Sequence, residues 1–408
     1  MSVTVQGFST FSSNAQTYIS AQTLKRIQRD VVVYGMGKKE KLPNRFSKTF
    51  QFTRYEKLDL PYAALTEGST PDNSTMSIST VSAVMDQWGS YINLSDVAVI
   101  TAKHPALQQG IELLAEQASE TIDRECVKLL LSNTSVNYPG TASSRFTLAA
   151  GDYITTGTCK EAISSLRSQG AHAVSGRLYL GLIDPLVEMD LLEDTTFQNA
   201  ASYSNIVALY NGEVGTWMGV RWMCSNLLPT MTLLSSPSTA GANTGSLANL
   251  TAYDLKVTAV DNTTGFEVKC SAKIDQSTGA ADESIDVTLP ATTGYTYNVY
   301  AGADGGVMYL YSSQNAPSAV VNVASIPTSG NVAPAHPASG VVVHYSWVLG
   351  KEAFAVPELM SLETFLTPDQ ASDSDPLKQR RKAGWKCMFK PVICNESYIE
   401  RIESASRY

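Results

Sequence analysis

The sequence predicts an α+β body that carries an inserted all-β domain. Up to residue 228, and again after residue 340, segments with the helical period and segments with the strand period occur together. Between residues 229 and 340 the helical period disappears, and short alternating segments follow one another between glycine-containing turns. Hydrophobic residues make up 43% of the 408 residues, which is enough for a large packed core.

The N-terminal region is predicted to consist of an arm followed by a long hairpin. Residues 1–45 are polar with only short apolar groups, so they cannot build a core of their own. Residues 46–57 alternate as a strand, a polar tip covers 62–77, and a second strand with a bulge covers 81–94. Because an isolated two-stranded ribbon is marginal in water, this hairpin needs a partner in its own domain or in a neighbouring subunit.

The clearest helix is predicted from His104-Pro105 to about Ser132. Proline suits the first helical position, and the following apolar residues recur at steps of three, four and seven, with acidic residues opposite. At about 1.5 Å per residue this helix is roughly 40 Å long, enough to cross a whole domain. A shorter helix capped by Thr158 is predicted at 159–169.

The inserted domain is predicted to be a small β-sandwich. Strand-like alternation is found at 266–274, 285–289, 295–299 and 307–311. Five or so short strands at this spacing are typical of immunoglobulin-like or fibronectin-like sandwiches. The flanking segments 235–245 and 327–339 have the low-complexity composition of linkers. Near the end of the chain, Asn395 is predicted to begin a final short helix.

Charge is distributed unevenly along a chain whose net charge is −8. Residues 1–57 contain ten Lys and Arg against three Asp and Glu, and residues 375–408 contain eight against four, whereas 58–228 contain eight against eighteen. A basic arm of one copy that lies across an acidic face of the next explains this pattern, and so does a solvated tail beside an ordinary acidic domain. The candidate inter-subunit contact residues are Lys25, Arg26, Arg29, Lys38, Lys39, Arg54, Glu56, Glu67, Glu116, Glu120, Arg380 and Arg381.

Catalytic and metal-binding patterns are missing from the sequence. The four histidines are scattered, and no Gly-x-Ser-x-Gly elbow, Walker loop, HExxH motif or EF-hand loop occurs. The six cysteines contain no CxxC pair and are interpreted as free thiols. We therefore assign no catalytic, cofactor-binding or metal-binding residue and expect no enzyme. No apolar run reaches the length of a membrane span, and the N-terminus does not have the pattern of a signal peptide.

Short phrases occur in a fixed order along the chain. They are Leu65-Thr66-Glu67-Gly68 with Pro71, Gly212-Glu213-Val214-Gly215 with Arg221, Leu349-Gly350 with Phe354, and Asp375-Pro376 with Trp385. In this order they resemble the major capsid proteins of tailed bacteriophages with the Hong Kong 97-type fold, in the branch with a Leu-Thr-Glu-Gly-x-x-Pro loop. The resemblance covers most of 1–228 and 341–408. It assigns structural roles to Gly68, Pro71, Gly212, Glu213, Gly215, Arg221, Gly350, Phe354, Asp375, Pro376 and Trp385.

The resemblance implies a Hong Kong 97-like organisation of the chain. Its parts would be an N-terminal arm at 1–45, an extended loop hairpin at 46–98, a peripheral domain with a long spine helix at 99–175 and 380–408, an axial domain at 176–228 and 341–379, and the inserted immunoglobulin-like domain at 229–340. No long helical prefix is present, so a scaffolding protein would be a separate chain.

The resemblance also implies the assembly and its partners. Copies would form pentamers and hexamers that close into an icosahedral shell around double-stranded DNA, which the inner face would touch non-specifically. Portal, scaffolding and decoration proteins are further expected partners, and no membrane or cofactor is. The protein would reside in the virion after assembly in the host cytoplasm. The alternative is a surface or tail-associated adhesin whose β-sandwich binds a host ligand.

Overall fold

The computed structural model of the chain describes residues 32–43, 47–58, 60, 64, 68, 73–95, 106–194, 215–315, 320–366 and 380–408. Contacts divide the chain into a first unit, Met1–Ser132 with Glu352–Glu396, and a second unit, Asn133–Lys351 with Ser397–Tyr408. Within the described part of the chain, no helix combines the length and apolarity that crossing a bilayer requires.

Strands outnumber helices among the described residues. The helices are α1 (Val33–Met36), α2 (Ala106–Leu131), α3 (Thr156–Ser168) and α4 (Pro185–Leu192). The strands of the first unit are β1 (Lys38–Lys41), β2 (Thr49–Tyr55), β3 (Ile78–Val84), β4 (Asp86–Ser95), β19 (Phe354–Leu366), β20 (Arg380–Phe389) and β21 (Val392–Ile393). Those of the second unit are β5 (Val136–Asn137), β6 (Tyr179–Ile183), β7 (Thr216–Trp217), β8 (Val220–Cys224), β9 (Thr230–Leu234), β10 (Ser238–Ala242), β11 (Ala252–Asp261), β12 (Glu267–Ser271), β13 (Ile274–Ser277), β14 (Ser284–Thr288), β15 (Tyr295–Ala303), β16 (Tyr309–Asn315), β17 (Val320–Val323), β18 (Val343–Leu349) and β22 (Ile399–Ser404).

The first unit packs the predicted long helix, α2, against a sheet in the order β1-β19-β20-β4. The apolar stripe of α2 is buried, with Leu114, Ala118, Ile122 and Cys126 at steps of four. From β20, Trp385 faces the helix, and its indole Nε1–H donates to Gln117 Oε1 at 3.3 Å. The structure confirms the helix over its described residues, and α2 forms one layer on the sheet.

The predicted hairpin is present, but its second strand is two strands. β2 and β3 pair without interruption from Thr49 opposite Val84 to Tyr55 opposite Ile78, as a two-stranded sheet. The fully buried Met85 then separates β3 from β4, and all ten residues of β4 pair with β20 instead. The expectation of one bulged strand was wrong, because only one part of it belongs to the ribbon.

The second unit is built on a long sheet in the order β16-β15-β11-β12-β9-β18-β6-β8-β7, with β22 and β5 attached through β18. Helix α3 packs on this sheet through Cys159, Ala162, Ile163 and Leu166, which are buried. It begins before the predicted position. The side chain of Thr155 accepts the first-turn N–H of Thr158, so Thr155 is the N-cap and the Thr158 cap was wrong.

The final helix expected from Asn395 was also wrong. One 3-10 turn, Glu396–Tyr398, precedes strand β22, all six residues of which are buried. β22 pairs antiparallel with β18 from Ile399 opposite Leu349 to Ser404 opposite His344. A strand that is buried on both faces has no alternation, and the spacing of its isoleucines imitates a helical stripe.

The inserted segment forms two sheets around one core. β14 and β17 of the small sheet β10-β14-β17 contribute residues such as Ile285 and Val323, and β11 and β15 of the long sheet contribute residues such as Val257 and Val299. The long sheet runs from this core into the body, because β9 pairs with both β12 and β18. The insertion is therefore joined to the body by a shared sheet.

The two expected linkers are structured. Segment 235–245 contains β10, which pairs along its whole length with β14. In segment 327–339, the Ala333 N–H donates to the Met308 carbonyl at 3.0 Å, and the Pro334 carbonyl accepts from Lys256 Nζ at 3.0 Å. The interpretation of these segments as linkers was wrong. Their low-complexity sequence has no apolar pattern, but hydrogen bonds to other elements hold both segments in place.

Candidate functional site

The β2–β3 ribbon presents an unusual amount of apolar surface. Tyr55 is 66% exposed, Ile78 54% and Val84 52%, and in the turn region Met76 is 69% exposed. Among the described strands, β2 and β3 pair only with each other, so both outer edges of the ribbon lack strand partners. Exposed strand edges and clustered apolar side chains mark surfaces that another chain covers.

Two of the candidate contact residues on the ribbon pair with each other. Arg54 donates to Glu56 Oε1 at 2.9 Å, and the Ser79 hydroxyl donates to the same oxygen at 2.7 Å. The hydrogen bond from Ser79, and to a smaller extent that from Arg54, holds the pKa of Glu56 below its usual value. The two charges are thus compensated within one copy, and their contact with a neighbour stays a prediction.

The described end of the arm lies against the first unit. β1 pairs in parallel with β19, and Lys38 Nζ lies 3.1 Å from Glu40 and 3.6 Å from Glu352. The hydrogen bond to Glu40 and the nearby carboxylates raise the pKa of Lys38. Lys39 Nζ lies 3.9 Å from the centre of the Tyr34 ring.

The other candidate contact residues are distributed over the first unit or lie outside the described residues. Glu120 is exposed on α2, Glu116 is half-buried on the same helix, and Arg381 is half-buried in β20 opposite Leu94. The backbone of Arg380 pairs with Ser95. The candidates outside the described residues are Lys25, Arg26, Arg29 and Glu67.

The family-motif residues serve turns and the core where they are described. Gly68 and Gly215 have φ of +80° and +55°, which favour glycine. The Gly350 N–H donates to the Tyr398 carbonyl at 2.8 Å, and a Cβ at Gly350 would lie 3.2 Å from the His172 carbonyl oxygen. Phe354 and Trp385 are buried, whereas Arg221 is exposed on β8. The motif residues outside the described part are Pro71, Gly212, Glu213, Asp375 and Pro376.

A trough on the sheet face opposite α2 was missed by the sequence analysis. Phe365, Gly384 and Tyr91 lie side by side in β19, β20 and β4. Tyr91 is 69% and Phe365 48% exposed, and Gly384 between them leaves a trough of about 770 Å³ that Lys382 and Lys386 border. The alternation around Trp385 indicates that even-numbered residues of β20 share a face, but it does not indicate which strands flank them.

A buried ion pair ties three segments of the second unit together. Arg145 donates to both carboxylate oxygens of Glu403, at 2.8 and 2.6 Å, and to the Ala335 carbonyl at 2.8 Å. Arg401 Nε lies 3.0 Å from Glu403 Oε1. Glu403 is fully buried and Arg145 is 7% exposed. The network joins the 3-10 turn Arg145–Thr147, segment 327–339 and β22.

Three aspartates form an acidic cluster in the insertion. Carboxylate oxygens of Asp254, Asp275 and Asp304 lie within 4.8 Å of one another. However, Lys273 Nζ lies 3.0 Å from Asp254 and 2.6 Å from Asp275, and the Gly305 N–H donates to Asp254 at 2.9 Å. The ammonium group already compensates the cluster, so we assign no metal to it.

Comparison with known proteins shows a capsid fold. Residues 78–271, just under half of the chain, match the family described as phage capsid protein. The capsid of the cyanophage P-SCSP1u superposes with a TM-score of 0.52 at 13% identity, covering 91% of this chain and 87% of that one. The capsid of cyanophage Pam1 gives 0.52 at 10% identity with 94% and 92% coverage, and that of Ralstonia phage GP4 gives 0.51 at 10% with 93% and 92%. No curated protein shows significant sequence similarity to this chain.

Proposed function

We propose that this chain is a major capsid protein, as its matches to phage capsid proteins support, and that it assembles as pentamers and hexamers into an icosahedral shell around double-stranded DNA. The observation that carries the proposal is the β2–β3 ribbon, where Tyr55, Ile78 and Val84 are exposed and the outer strand edges lack strand partners among the described residues. The trough between Phe365 and Tyr91, on the sheet face opposite α2, is a second exposed apolar surface. Repeated contacts between such surfaces stabilise a lattice through multivalency even when each contact is modest.

The finer organisation that we propose is the Hong Kong 97 type. The arm at 1–45 and the hairpin at 46–98 lie on adjacent copies, the parts at 99–175 and 380–408 form the peripheral domain, and those at 176–228 and 341–379 form the axial domain. The insertion at 229–340 is an immunoglobulin-like domain on the outer surface. Portal, scaffolding and decoration proteins bind the shell, DNA touches its inner face, and assembly takes place in the host cytoplasm.

Sedimentation velocity of the purified chain tests the proposed assembly. We expect species many times heavier than the 43.9-kDa monomer, either capsomers or closed particles, with the distribution shifting to larger species as concentration rises. Electron microscopy of the fast-sedimenting fraction should show rings or shells. A single monomeric or dimeric species at every concentration would contradict the proposal and favour an adhesin.

Removal of the insertion tests its place in the chain. In the antiparallel β9–β18 pair, Met231 lies opposite Val343 and Thr230 opposite His344, so the continued register brings Leu234 opposite Gly340. Replacement of 235–339 by a short glycine-containing turn should therefore close β9 and β18 as a hairpin. We expect a soluble body with a cooperative unfolding transition and retained assembly. A variant that does not fold would show that the insertion is part of the core.

A further inference from the structure

A single carboxylate on the long helix holds the chain where the arm meets the body. Oδ2 of Asp123 accepts the N–H groups of Val32 and Val33 at 3.0 and 3.4 Å, and Oδ1 accepts that of Tyr34 at 3.0 Å. About 90 residues of chain separate donor and acceptor. These three N–H groups form the N-terminal end of α1, where intrahelical partners are lacking.

Helix α1 depends on this carboxylate. It has only four residues, and the side chain of its own N-cap residue, Val32, offers no acceptor. So short a helix does not form by itself in water. Its free N–H groups favour a negatively charged acceptor at this end. Asp123 supplies that charge from α2, as a capping residue contributed by a different element.

The surroundings show that the contact is built into the packing. Asp123 is 3% exposed, and Val33 beside it is fully buried. Burial raises the pKa of Asp123 to about 6, although the N–H groups of Val32 and Val33 act in the opposite direction. At pH 7.5 the carboxylate is therefore ionised. A buried charge is retained only where donors satisfy it, and the backbone of 32–34 provides them.

We infer that Asp123 is the residue that fixes residues 32–34, within the N-terminal arm, on helix α2. This inference rests on the proposed function in one respect, since the arm is taken to reach a neighbouring copy. After residues 32–34, β1 pairs in parallel with β19 and provides a second attachment. The two attachments together hold residues 32–41 on the first unit.

Hydrogen exchange of the full-length chain at pH 7.5 tests the contact between Asp123 and the N–H groups of residues 32–34. Asp123→Asn keeps the size of the side chain but removes its charge and places an amide donor against the N–H groups. We expect the amides of Val32, Val33 and Tyr34 to exchange at least about tenfold faster than in the unmodified chain. Glu112→Gln, which removes an exposed carboxylate from the same helix, is the matched control and should leave these rates unchanged.

Assembly supplies the second readout. We expect Asp123→Asn to give fewer closed shells and more irregular products than Glu112→Gln, with the α2 amides exchanging as before. Unchanged exchange at 32–34, or faster exchange with shells of normal yield and shape, would overturn the inference. If the unmodified chain forms no shells at all, the proposed function fails. The exchange rates of the two variants still decide whether Asp123 holds residues 32–34.

Discussion

Replacement of Arg145 by methionine is expected to lower the free energy of unfolding by about 3–5 kcal/mol. The guanidinium makes two short hydrogen bonds to Glu403, which is fully buried, and a third to the carbonyl of Ala335. Methionine retains the unbranched apolar stem of the side chain but leaves the carboxylate with Arg401 as its remaining cation. The loss is large because a buried charge without its main partner costs far more than the pair itself contributes.

Urea unfolding of the unassembled chain measures this effect, with Lys390→Met as the matched control. Lys390 Nζ lies 2.7 Å from Asp86, and both side chains are 44% exposed. An exposed pair contributes about 0–1 kcal/mol, so the control should unfold almost like the original chain. Equal midpoints for the two variants would show that the Arg145 network does not stabilise the fold. A double variant, Arg145→Met with Glu403→Gln, should recover part of the loss because no carboxylate is then buried without its main partner.

Shortening the hairpin is expected to abolish shell formation while the chain still folds. Tyr55 lies opposite Ile78, and the Glu56 N–H donates to the Ser77 carbonyl at 3.0 Å. Glu56 and Ser77 are thus a hydrogen-bonded pair, which an Asn-Gly type I′ turn can follow directly. Replacement of 57–76 by Asn-Gly retains β2 and β3 in register and removes the tip with its exposed Met76.

Thermal unfolding of this variant measures whether the chain still folds, and sedimentation measures whether it still assembles. We expect the unfolding midpoint to stay within a few degrees, since the buried residues at the base of the ribbon, Ala83 and Met85, are retained. Large species should disappear from the sedimentation profile because the neighbour contact of the tip is lost. An alanine variant of Ser74, an exposed residue in the tip, controls for the handling of the protein. Wild-type assembly of the shortened chain would show that the hairpin tip is not needed for contacts between copies.

The sequence predicts local periods well and strand partners poorly. The stripe of α2 and the alternation at Trp385, Cys387 and Phe389 are properties of single elements, and both are found in the structure. The break at Met85 depends on β20, almost 300 residues away, which pairs with β4. The final strand was missed for a similar reason, because burial on both faces by distant elements removes the alternation that identifies a strand.

The contact surface was predictable only in part. The polar tip and the ribbon follow from turn residues and alternation, and the need for a partner follows from the small number of strands. That Arg54 and Glu56 compensate each other, and that Lys38 pairs with Glu40 and Glu352, depends on side-chain geometry. The Asp123 contact joins residues about 90 positions apart, and an aspartate within a helical stripe gives no sign of capping another helix.

Hydrogen exchange across the hairpin, before and after assembly, tests the central claim most directly. That claim is that copies of this chain bury each other's ribbons. The amides of β2 and β3 that point away from their mutual pairing lack strand partners among the described residues. They should exchange quickly in the unassembled chain and at least about a hundredfold more slowly in assembled particles. Equal exchange of these amides in both states would contradict the account.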